Sequence, residues 1–218
     1  MVLFFTRRIL LFSFCTFSFH FLVHAQTRFT WFAGPQFSTA SYTVHGVKES
    51  VDWKPGAQLG IGAKIEFDDH LFFSPAVYYS YKGYTVQLTQ PANPPDPSAV
   101  KNRIGVHSLE TAFLLQYDFG NHPSHFFLQL GPALDFQLSG KEKYDLADGS
   151  QISRRMPFGF VAYGRYAASL VVHVGYEIKN SWLVYLNYEH GLTNLDNADD
   201  GPFIRYRVAG ISIGRFFK

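Results

Sequence analysis

Ser169, His173 and Glu177 are a hydroxyl, an imidazole and a carboxylate spaced four residues apart. Brought together they would form a hydrolytic triad, the carboxylate orienting the imidazole that activates the hydroxyl. Their surroundings forbid it. Tyr166, Ala168, Leu170, Val172, Val174, Tyr176 and Ile178 alternate with them, which is the period of a β-strand. Four residues of strand cover about 13 Å, whereas a serine and its histidine must touch. His107 and Ser108 are adjacent and so point to opposite faces. His122 and His125, in the stretch NHPSH, are two metal ligands with no cysteine and no third ligand close by in sequence, too few for a zinc site. Asp196, Asp199 and Asp200 offer the oxygen ligands that calcium takes, and read more simply as a solvated loop tip. No residue set meets the geometric test for catalysis, so the expectation is a protein that is not an enzyme and carries no metal or other cofactor.

Charged residues on strand faces carry more information. Lys64, Glu66, Lys82, Glu110, Asp135, His173, Glu177 and Glu189 share the polar faces of six candidate strands. If those faces point inward, these charges are buried, and buried charges are costly unless paired. The expectation is a cross-barrel network of ion pairs and hydrogen bonds that plugs the interior.

The elements that would position them are strands throughout. In GAQLGIGAKIEF, residues 56–67, Ala57, Leu59, Ile61, Ala63, Ile65 and Phe67 occupy one face, and Gln58, Gly60, Gly62, Lys64 and Glu66 the other. Eight such segments are predicted, at 28–39, 55–67, 71–86, 104–119, 125–140, 164–178, 181–192 and 203–217. In the first, Phe32 interrupts an otherwise polar face. The connections at 68–70, 120–124 and 179–180 are short. Those at 40–54, 87–103, 141–163 and 193–202 are long and polar, and 88–103 holds four of the 11 prolines. Long and short connections alternate, as in an up-and-down barrel with one rim facing outside.

The N-terminus sets the compartment. Arg7 and Arg8 precede an apolar run from Ile9 to Val23 that closes at Val23-His24-Ala25. This is the pattern of a secretory signal peptide, 1–25, cleaved before Gln26, and the run falls short of the roughly 20 residues that span a bilayer. The remaining domain, 26–218, has no cysteine and balanced charge, so it has no disulfide and no basic field for nucleic acid. Aromatics make up 18% of the chain and charged residues only 17%, against about 25% in ordinary soluble proteins. Polar faces made mostly of Gly, Ser, Ala and Gln suit the narrow interior of eight strands. Apolar faces with aromatics near their ends suit lipid and its interfaces. The reading is all-β: an eight-stranded antiparallel up-and-down transmembrane β-barrel. A soluble periplasmic calycin-like carrier, with the faces reversed, is the alternative.

Five short stretches support this in order along the chain: Ala33-Gly34-Pro35-Gln36-Phe37-Ser38, Tyr79-Ser80-Tyr81-Lys82-Gly83, Ser108-Leu109-Glu110-Thr111-Ala112-Phe113-Leu114, Leu130-Gly131-Pro132 and Tyr188-Glu189-His190-Gly191-Leu192. Over most of 28–218 the chain resembles the PorT-like family of small outer-membrane β-barrel proteins, akin to OmpA- and OmpX-type barrels, with Ala112 where that family usually has proline. The resemblance implies the outer membrane of a Gram-negative bacterium, with outer-membrane lipid and lipopolysaccharide as surroundings. It also implies an envelope protein partner or a place in a secretion or transport assembly. Phe216-Phe217 resembles the aromatic ending read by the outer-membrane assembly machinery. Function is expected in the long external loops.

Overall fold

The fold follows from the two-residue alternation of side chains and from one closing seam. The computed structural model describes residues 27–217; the predicted signal peptide and its cleavage site lie outside them. The strands are β1 (Thr27–Val44), β2 (Val47–Lys48), β3 (Ser50–Asp68), β4 (Leu71–Gln87), β5 (Ala99–Phe119), β6 (His125–Leu146), β7 (Gln151–Arg155), β8 (Tyr166–Ile178), β9 (Trp182–Gly191) and β10 (Phe203–Phe217). Eight of them, all but β2 and β7, pair antiparallel with their neighbours in chain order. β10 then pairs with β1 from Phe29 opposite Phe217 to Thr43 opposite Phe203, and this closes the ring.

Strands run further than their sequence pattern predicts. Residues 40–54, expected as a loop, are the continuation of β1, a two-residue turn and the start of β3. His45 and Gly46 both have positive φ, the backbone of a tight hairpin turn, as do Lys179 and Asn180 at the turn between β8 and β9. Residues 141–163, expected to be irregular, begin as the end of β6, which turns back to pair with β7. Five residues of 87–103, from Ala99 onward, belong to β5. These stretches carry polar residues on both faces, so no apolar period marks them, yet the backbone goes on pairing. The short turns at 68–70, 120–124 and 179–180 and the irregular 193–202 fall at the ends of strands as expected.

The apolar faces point outward. Leu59 is 58% exposed and Ile61 61%, with Phe113, Leu115, Leu130, Leu134, Val174, Leu186, Ile211 and Ile213 beside them around the ring. From Leu109 to Phe119, β5 advances about 33 Å along the strand, or about 25 Å along the axis at a tilt of about 40°. That matches the apolar band of a barrel in an outer membrane, about 25 Å tall. Aromatics gather at its ends: Trp31 against Trp182 and Phe29 against Phe217 at the short-turn rim, Tyr79, Tyr81 and Tyr188 at the other.

Phe32, which interrupted a polar face, points into the lumen. It packs edge-on against Tyr78 and Tyr185 in a cluster with Phe127 and Leu114. A second apolar cluster near the long-ribbon rim includes Tyr42, Tyr84, Ile104, Tyr163 and Ile204. The carrier alternative requires an apolar cavity inside and a polar outer surface, and the side chains are arranged the other way.

Ile61→Arg, placed halfway along the apolar band, is expected to destabilise the barrel by about 2–4 kcal/mol, the cost of arginine at a bilayer midplane. Equilibrium unfolding from vesicles measures it; an unchanged midpoint would mean that this face does not meet lipid.

Candidate functional site

The lumen is filled in layers, and two of them are built on a lysine. Lys82, in β4, is fully buried. Its Nζ lies 2.9 Å from Glu110 Oε1 (β5), 2.7 Å from Asp135 Oδ2 (β6) and 3.3 Å from Glu189 Oε1 (β9). The ring of Tyr206 covers it, 5.1 Å from ammonium to centroid. Strand pairing assembles part of this directly, since Glu110 stands opposite Asp135 in the register of β5 and β6. Beside it, Gln36 donates to Ser80 Oγ at 2.7 Å and Gln58 to Ser212 Oγ at 2.8 Å, so the amides span the ring as well.

Nearer the short-turn rim, Lys64 (β3) pairs with Asp118 of β5 and Glu177 of β8. Arg28 reaches Glu177 Oε2 at 3.3 Å and donates to the Asn180 carbonyl at 2.6 Å, with its guanidinium over the Phe216 ring. His125 Nε2 is 2.9 Å from Asp118 Oδ2, while its Nδ1 meets the His122 carbonyl. Asp118, His125 and Glu177 bring one ligand atom each within 4.8 Å of one another. These are the donor types of a transition-metal site, but the Lys64 ammonium already lies between the two carboxylates. A divalent ion would have to displace it. The His122 ring is not part of this cluster; the partners missing from the sequence motif come from β5 and β8, the two strands that flank β6.

The eight predicted interior residues therefore divide. Lys82, Glu110, Asp135 and Glu189 form one cluster, and Lys64 and Glu177 belong to another. His173 joins the Lys64 cluster indirectly: its Nδ1 is 2.6 Å from Gln129 Oε1, Gln129 donates to Gln116 and Gln116 to Asp118 and Glu177, while its ring lies on Tyr185. Glu66 is not in the network: it is exposed at the short-turn mouth and lines a 330 Å³ cavity with Asp69 and His122. β3 runs past the filled part of the lumen there, so inward parity no longer means burial. Ser169, His173 and Glu177 form no direct hydrogen bond to one another, in keeping with the strand spacing; His173 and Glu177 are linked through Gln129 and Gln116. Sequence reasoning missed Arg28, weighed His125 only as a metal ligand, and left Asp118 out of the network although its position alternates correctly with Glu110 and Gln116. Phe216 turns inward under Arg28, and Phe217 outward onto Phe29.

A third polar group closes the long-ribbon end. Glu142 accepts from Arg154 Nε at 2.6 Å and from Tyr163 Oη at 3.0 Å, and Arg154 also donates to the Pro95 carbonyl at 2.8 Å. The segment after β7 is zipped to the last loop, Gly164 N donating to Leu195 O at 2.8 Å and Asn197 N to Ala162 O at 2.9 Å. Asp196, expected on a solvated tip, is buried between these bonds. Burial raises its carboxyl from 3.8 to about 6, partly offset by the backbone N–H groups of Ala198 and Asn197.

A closed antiparallel ring with an apolar belt outside and ion pairs inside defines a transmembrane β-barrel. The chain belongs to the outer membrane protein β-barrel domain family, whose sequence model matches residues 17–197. Among solved structures it is similar to Ail, the attachment invasion locus protein of Yersinia pestis, at 13% identity over 88% of this chain and 99% of that one, TM-score 0.45. It is similar to OprG of Pseudomonas aeruginosa at 13% identity over 89% and 97%, TM-score 0.45. Neisserial surface protein A aligns at 14% identity over 86% and 97%, TM-score 0.42. No curated protein matches the chain.

Two outcomes follow from this geometry. Lys82→Met strands three buried carboxylates and is expected to cost about 3–5 kcal/mol, the penalty for removing one partner of a buried ion pair. Denaturant unfolding in detergent or vesicles measures it. Asp196 has a folded pKa above its unfolded one, so loop docking is favoured most below about pH 4 and weakens as pH rises through about 6. Hydrogen exchange at the Gly164 and Asn197 amides, corrected for intrinsic rate, should show protection falling over that interval. Asp196→Asn should flatten the dependence.

Proposed function

We propose that this is a non-enzymatic integral protein of a Gram-negative outer membrane, with a plugged lumen and a working surface on its external ribbons. The observation that carries the reading is the filled interior: the Lys64 and Lys82 clusters, the Phe32 cluster between them and the tyrosines around Glu142 succeed one another along the axis. A pore would need these displaced together. The external excursions are braced to one another through Arg154, Glu142 and Asn197, which supports a pre-formed surface for an envelope partner or surface ligand.

A place in a secretion or transport assembly, implied by the PorT-like resemblance, is the second reading. Phe160 and Val161, 94% and 83% exposed at the tip of the excursion after β7, favour an apolar contact with another protein. The assembly machinery would read the C-terminal strand, where Phe217 is the residue presented to the outside.

Recording in planar bilayers tests the closed lumen. The expected result is no steady conductance from heat-modifiable, folded protein. Sustained large openings would overturn the plugged reading. Co-purification from detergent-extracted membranes separates a lone barrel from an assembly component.

A further inference from the structure

Beyond the apolar belt, the outer faces of β4, β5, β6 and β7 form one continuous wall. Its register places Tyr81, His107 and Ser139 side by side in one row, and Gly83, Gly105, Lys141 and Arg155 in the next row outward. Gly105 leaves a notch, while Gly83 lets the β5 backbone approach closely at Ile104. A Cβ on Gly105 would lie 2.7 Å from Tyr81 Oη and 3.1 Å from Lys54 Nζ, so both groups lean over its floor. Lys54 holds its place by donating to the Ile104 carbonyl at 2.8 Å. Tyr79 Oη hydrogen-bonds His107 Nδ1, and the His107 ring packs at a tilt against Tyr81, 4.8 Å between centroids. Lys141, Arg155 and their neighbours in these rows, together with Tyr79 and Gly140, line an open cavity of 820 Å³.

The charge of this cavity is uncompensated. Lys141 and Arg155 are exposed and have no ion-pair partner among the described residues. Next to them, Arg103 is matched by Asp145 at 3.0 and 2.6 Å, and Asp52 stands opposite Thr85 one row further out. Lys141 and Arg155 line the cavity, Lys54 reaches its edge at Gly105, and no acid is among the lining residues. Directly below, Tyr79 pairs with Leu109, and Val77, Phe113 and Leu134 continue the apolar belt.

We propose that this notch is a binding site for the phosphorylated headgroup of an outer-leaflet glycolipid, with acyl chains running down the belt beneath it. Charge selects the phosphate: an arginine fork and two ammonium groups are donors suited to a phosphoryl oxygen. Position selects a lipid over a soluble anion, because the notch opens at the level where headgroups meet the end of the hydrocarbon. Tyr81 and His107 present an amphipathic floor for a sugar ring, as aromatic residues do at bilayer interfaces. The proposal rests on the outer-membrane reading and gives it a specific lipid contact.

The test uses the folded full barrel in detergent, probed by native mass spectrometry with bisphosphorylated lipid A, the same lipid after removal of its phosphates, and inorganic phosphate. Wild type should retain one bisphosphorylated lipid. Lys141→Ala/Arg155→Ala should bind it at least about tenfold more weakly, as loss of two charge-assisted contacts implies, while keeping heat-modifiable migration. The control Lys48→Ala, on the ribbon tip, should bind as wild type. Equal retention of the dephosphorylated lipid, or full retention by the double variant, would overturn the site. Inorganic phosphate displacing the lipid at equal concentration would overturn the assignment to a lipid. Failure of the outer-membrane reading is separate: the protein would fractionate without the membrane and show no heat-modifiable form.

Discussion

The pairing of β10 with β1 is the interaction on which the rest depends. In hydrocarbon no water is available to an unpaired backbone N–H or C=O, and each one left open costs several kcal/mol. A sheet spanning a membrane must therefore close. Thirteen residue pairs, from Phe29 and Phe217 to Thr43 and Phe203, make the closing seam. Once eight strands close, alternation divides every strand into a lipid face and a lumen face, and the lumen is only wide enough for side chains.

Closure explains why the interior is so polar and why its lysines are paired with carboxylates. Away from the mouths its side chains are buried, so Lys82 and Lys64 each gather carboxylates from other strands, and the amides of Gln36 and Gln58 donate to the hydroxyls of Ser80 and Ser212. The aromatic layer around Phe32 lies between the two charged layers. Apolar side chains inside and out thus answer different needs: outside they match lipid, and inside they fill volume that charge pairing cannot.

Beyond the belt the constraint relaxes, and the strands use the freedom. β5, β6 and β7 keep pairing in water as a ribbon whose outer face is basic and whose inner face carries Tyr144 and Glu142 over the mouth. The same backbone alternation that sorts lipid from lumen here sorts an exposed cationic wall from a tyrosine-lined cap.

What the sequence determined by itself was local. Leu59, Ile61 and Ile65 share a face because the strand period is two, and Lys179-Asn180 marks a turn because two apolar alternating runs meet there. The inward parity of Lys64, Lys82, Glu110, Asp135, Glu177 and Glu189 was legible for the same reason. Which of them meet was not. Lys82 and Glu189 are 107 residues apart and Lys64 and Glu177 are 113 apart, so their pairing depends on ring closure and on the stagger between strands. Parity also could not say where burial stops, which is why Glu66 lies at an open mouth while Asp118 and His125 lie in the network. The ribbons at 40–54 and 141–155 gave no apolar period because both of their faces lack lipid, and only pairing to a neighbour made them strands. Asp196 was decided last of all, by the contact between two loops distant in the chain, joined by backbone hydrogen bonds from Gly164 to Leu195 and from Asn197 to Ala162 and by the Asn197 side chain on the Gly159 carbonyl. Alternation is a property of one strand; charge pairing, the end of the belt and loop docking are properties of the closed ring.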